Sequence, residues 1–109
     1  MGDSLARTRG FPAEVRNEIG YALYLAQTQR RHVSAKPLHG FGSGVAEIAV
    51  AHERNAFRAV YVTNLGDAVY VLHAFQKKSR KGISTSKADS QLIRERLRRA
   101  KELARERER

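Results

Sequence analysis

Cysteine is absent from the 109 residues, which removes disulfides, zinc-thiolate sites and thiol nucleophiles together and fits a reducing compartment. Acidic groups are scarce, since 11 Asp and Glu face 21 Lys and Arg for a formal net charge of +10. No apolar run approaches the roughly 20 residues of a membrane span. The opening Met1-Gly2-Asp3-Ser4 also lacks the hydrophobic region of a signal peptide. The expectation is a cytoplasmic protein without membrane association. One domain spans residues 1–109, a length that buries one genuine core but not two.

The positive charge is unevenly spread. Residues 1–44 carry six basic and three acidic groups, residues 45–76 two and three, and residues 77–109 thirteen and five. Nearly all the excess therefore follows Gln76, where the apolar run Val69 to Phe75 passes abruptly into Gln76-Lys77-Lys78-Ser79-Arg80-Lys81. An unbroken apolar run is the mark of a strand covered on both faces. Cations leaving its end together repel one another unless an anion lies opposite, and polyphosphate chains are the commonest such anion.

Pro12 suits the first turn of a helix, and Val15, Ile19, Ala22, Leu23 and Ala26 recur at helical spacing. This predicts a helix from Pro12 to Thr28. Residues Gln29 to Gly44 read as a loop with room for one short helical turn. Strands Val45 to Ala51, Phe57 to Thr63 and Ala68 to Lys77 follow, separated by connections short enough for antiparallel hairpins. Alternation in the second of them sets Arg58, Val60 and Val62 on one face against Phe57, Ala59, Tyr61 and Thr63 on the other. Ser86 with Asp89 resembles a capping box and opens a final helix to Arg105, with Ile93, Leu97, Ala100 and Ala104 as its apolar stripe.

The histidines His32, His39, His52 and His73 are spread over three loops and one strand without metal-ligand spacing, so no metal is expected. The glycines Gly40, Gly42 and Gly44 lead into a strand rather than a helix, which argues against a phosphate-cradling loop. Alternation groups His73 with Val71, Phe75 and Lys77, leaving it as the imidazole able to serve a site there, against the plainer reading of a packed core histidine. For Arg58 two readings stand level: a buried ion pair, with Glu47 as a partner on the adjoining strand, or a bidentate phosphate grip.

The ordered segments Phe11-Pro12, Lys36-Pro37-Leu38, Gly44 to Ile48, Phe57 to Tyr61, Val71 to Ser79 and Arg94 to Leu97 give a whole-chain pattern. It resembles the HigB-type, phage-derived branch of the RelE/ParE toxin superfamily over a core of residues 11–104, with 105–109 as a basic tail. The resemblance implies an α+β, RelE-like fold: an N-terminal helix with room for a short second one, an antiparallel meander of three to four strands, and a C-terminal helix. It further implies the toxin of a type II toxin-antitoxin pair, an endoribonuclease that cuts mRNA on the ribosome without metal or cofactor and is silenced by a helix-turn-helix antitoxin.

Under that resemblance Arg58 neutralises the scissile phosphate, Lys77 and Lys78 bind the RNA backbone and assist catalysis, and Arg80 and Lys81 extend the RNA-binding patch; proton transfer falls to His73 or a lysine on position alone, not by the resemblance. The chain departs from the family at Thr85-Ser86, where Thr-Pro is usual, and offers no obvious tyrosine or acidic general base. A ParE-like gyrase inhibitor of the same fold, or a basic nucleic-acid-binding accessory protein, are the alternatives.

Overall fold

A computed structural model describes residues 1–78 and 86–107. Its elements are α1 (Ser4–Arg9), α2 (Ala13–Gln27), β1 (Ala35–Pro37), β2 (Val45–His52), β3 (Asn55–Leu65), β4 (Ala68–Lys78) and α3 (Lys87–Arg107). The strands form one antiparallel sheet in the order β1-β2-β3-β4. The expected α+β class, meander and C-terminal helix are all present.

Three details differ from the sequence reading. The extra short helix precedes α2 rather than following it, and the loop instead contributes the three-residue strand β1. His52 closes β2 rather than lying in a loop. A bulge also breaks the alternation of β4, because Tyr61 pairs with Val71 but Val60 pairs with His73, leaving Leu72 as the extra residue. His73 therefore does not share a face with Val71.

One face of the sheet buries Ile48, Phe57, Ala59 and Tyr61 against Val15, Ile19, Ala22 and Ala26 of α2. These helix positions recur every three or four residues, so a single stripe of α2 covers the sheet. The other face packs Val60, Val62, Leu72 and Phe75 against Ile93, Leu97 and Ala100 of α3. Burial of a side chain such as Ile93 contributes about 1.5–3 kcal/mol.

α3 starts at a true N-cap, where the Asp89 N–H donates to the Ser86 hydroxyl at 3.1 Å. It is tied down further along by Arg96, whose guanidinium donates to Leu72 O of β4 at 2.9 Å, to Asp3 at 2.8 Å and to the buried Ser4 hydroxyl at 3.2 Å. That clamp explains how a six-residue helix with little helical signal of its own is held. Among the described residues no helix is long and apolar enough to cross a membrane.

Candidate functional site

The β2–β3 hairpin turns through two residues, Glu53 and Arg54, both with positive φ, 48° and 70°. Such a turn matches the twist of the flanking strands and fixes their register back along the ladder. Ala49 lies opposite Arg58 and Glu47 opposite Val60, so Glu47 and Arg58 are diagonal neighbours on the α3 side of the sheet. Arg58 Nη1 donates to Glu47 Oε1 at 2.9 Å, with side chains only 10% and 13% exposed. Arg58 Nε and Glu47 Oε2 are buried without a hydrogen-bond partner. The pair is made, yet each member retains unused capacity. On the same side Lys36 lies opposite Glu47, and Lys36 and Ala49 are exposed, so this end of the sheet face is open.

Phe75 of β4 pairs with Arg58, and Lys77 pairs with Ala56. The backbone of Lys77 therefore lies one diagonal step from Arg58, a separation of about 7–8 Å in an antiparallel ladder. The side chains of Lys77 and Lys78, and all of Arg80 and Lys81, lie outside the described residues.

His73 is fully buried, stacked on Phe75 with ring centroids 4.8 Å apart. Its Nε2–H donates to Asp89 Oδ1 at 2.7 Å, and Ser86 Oγ donates to the other carboxylate oxygen at 2.7 Å. Burial pushes the Asp89 carboxyl up, but the hydrogen bonds from Ser86 and His73, with the charge of His73, outweigh it and hold the group below its ordinary value. His73 Nδ1 is buried and unpartnered. The imidazole thus sits beneath the surface and joins β4 to the first turn of α3.

Two acidic residues gain importance that composition did not give them. Glu47 figured only as an ion-pair partner, yet it is a carboxylate in contact with Arg58. Asp89 figured as a cap, yet it also receives His73. Glu47 could have been found from the register, because the two-residue turn dictates which residues of β2 and β3 share a face.

Neither a curated protein nor a solved structure matches the chain significantly. A family model does, over residues 7–98, which takes in α2, the whole sheet and the first half of α3. The chain belongs to the Gp49-like family of phage-derived proteins (DUF891), known as RelE/HigB-like toxins.

Proposed function

We propose that the protein is the toxin of a toxin-antitoxin pair and cleaves mRNA on the ribosome, restrained by a helix-turn-helix antitoxin. The observation that carries this reading is the Arg58–Glu47 pair, held rigidly at the open end of a sheet face, one diagonal step from the point where β4 enters the run Lys77 to Lys81. In such cleavage the 2′-hydroxyl of RNA attacks the adjacent phosphorus and the 5′-oxygen of the next nucleotide leaves, giving a 2′,3′-cyclic phosphate and a 5′-hydroxyl. The protein must accept one proton, return one, and stabilise the extra negative charge on the phosphoryl oxygens.

Arg58 supplies the stabilising cation, Lys77 and Lys78 the backbone contacts and a proton for the leaving oxygen, and Arg80 and Lys81 further electrostatic hold. Glu47 is the base that the sequence did not reveal. On taking the 2′-hydroxyl proton it loses its charge and with it the attraction that keeps Arg58 to itself, so the guanidinium turns to the phosphate as negative charge develops there. His73 acts through Asp89, by fixing the end of β4 against α3.

Mapping transcript ends after induced expression tests this. Growth arrest with cuts at codon-related positions is expected, and a variant carrying Arg58→Met with Glu47→Leu should fold but be harmless. Intact transcripts during arrest would overturn the nuclease reading, and DNA breaks in their place would select gyrase as the target.

A further inference from the structure

On the α2 side of the sheet, away from Arg58, lies a hollow of about 570 Å³ lined by Ala26, Arg30, Arg31, Pro37, Val45 and Tyr61 among others. We propose that it binds a nucleotide of single-stranded RNA, with Arg30 and Arg31 on the phosphate and the base against Pro37 and Ala46.

The local chain geometry builds this arrangement. α2 ends in a Schellman motif: Arg30 N–H donates to Leu25 O at 2.7 Å and Gln29 N–H to Ala26 O at 3.1 Å, with Gln29 in the left-handed region at φ 63°. That reversal carries both arginines off the helix axis to the rim of the hollow. It also caps the last helical carbonyls, whose partial negative charge would otherwise oppose an anion.

The arginines are exposed, and among the described residues the arginines in ion pairs are Arg7, Arg58, Arg96 and Arg99. Arg30 and Arg31 are therefore uncommitted, and no lining residue is a carboxylate. An anion is the complementary ligand.

The rest of the lining narrows the class. Gln29 and Thr63 add amide and hydroxyl groups, while Ala26, Pro37 and Ala46 form a short apolar wall. Tyr61 contributes its edge from the core; burial pushes its phenol up, and Arg31 draws it back only in part, so the hydroxyl stays protonated and able to donate to a phosphate oxygen. The volume falls within the roughly 300–1,000 Å³ common for small-molecule sites. Two cations, a fixed donor and a short apolar wall suit a phosphate carrying a flat base better than a bare inorganic ion or a flexible acidic side chain.

The site stands whether or not the chain cleaves RNA, so it is tested by binding alone. The full-length protein is titrated into a fluorescein-labelled 2′-O-methyl oligoribonucleotide, which has no 2′-hydroxyl to react, and anisotropy is followed at several salt concentrations. Arg30→Gln with Arg31→Gln should weaken binding about tenfold or more and reduce the log–log salt slope by about 0.7, the share of one neutralised phosphate on a single strand. Tyr61→Phe should weaken it about threefold at an unchanged salt slope, as loss of one neutral donor. Adenosine monophosphate should compete, and more strongly than polyglutamate at equal charge. Unchanged affinity in the arginine variant, or displacement by polyglutamate as effective as by nucleotide, would overturn the proposal.

Discussion

Removing one partner of the Arg58–Glu47 pair should be among the most damaging single changes in the sheet. Their polar atoms meet at 2.9 Å and the side chains are 10% and 13% exposed, so Arg58→Met leaves a carboxylate in an environment that water barely reaches. Breaking a buried pair in this way costs about 3–5 kcal/mol. A chain of this size has about 5–15 kcal/mol in total. With a urea slope of about 2 kcal/mol per molar, the midpoint should fall by about 2 M.

The double replacement Arg58→Met with Glu47→Leu should behave oppositely. It removes both charges together, and buried pairs replaced by apolar residues of similar volume are neutral or stabilising by about 1–4 kcal/mol. The unpartnered Arg58 Nε and Glu47 Oε2 push the balance further that way, since each buried unmet group costs about 1–3 kcal/mol. The assay is a double-mutant cycle by urea denaturation. A single variant losing under about 1 kcal/mol, or a double variant as unstable as the two losses added, would refute the claim that the pair is desolvated. Because the double variant keeps its fold while losing the proposed machinery, it separates lost toxicity from lost structure, which Arg58→Ala cannot do.

Asp89 should make stability fall in acid. Its folded-state carboxyl is held below the ordinary value, so its contribution is present above about pH 4 and is lost as pH drops further. Asp89→Asn should flatten the decline of urea midpoints between about pH 5 and pH 3, though Asp3, also held low by Arg7 and Arg96, keeps part of the slope; an equally steep decline would contradict the assignment. In the β2–β3 turn, Arg54 holds φ 70° without being glycine, so Arg54→Gly should raise stability by about 1 kcal/mol and the melting temperature by roughly 4–8 °C. A lower melting temperature would show that the Arg54 side chain matters more than the backbone.

Most of the sheet was legible because alternation survives in β2 and β3, where one face is cored by α2 and the other by α3. Recurrence every three or four residues likewise exposed α2 and α3. What escaped has local causes. β1 is three residues with a proline at its edge, too short for a period to register. α1 shows no apolar stripe and depends on Arg96, some ninety positions away in sequence, for its place. The bulge at Leu72 leaves no mark on composition, yet it decides which face His73 occupies.

The candidate sites were legible to different degrees, and turn geometry accounts for the difference. Arg58 stood out as an arginine among core-facing valines, but its partner depended on register, and register depended on Glu53 and Arg54 adopting a left-handed turn that their residue types do not announce. Arg30 and Arg31 read as loop charge for the same reason, since Gln29 takes the conformation usually left to glycine. In both places a non-glycine residue at positive φ lies where the chain aims cations. Such residues cost about 1–3 kcal/mol each and persist where surrounding structure over-determines them. Disturbing one turn at a time therefore discriminates between the two: Arg54→Gly keeps the hairpin and its register, whereas Gln29→Val, whose branched side chain resists positive φ, undoes the cap that points Arg30 and Arg31 at the hollow. Oligonucleotide affinity should fall in the second variant, through lost preorganisation, and hold in the first; equal affinities would show that the arginines need no such aim.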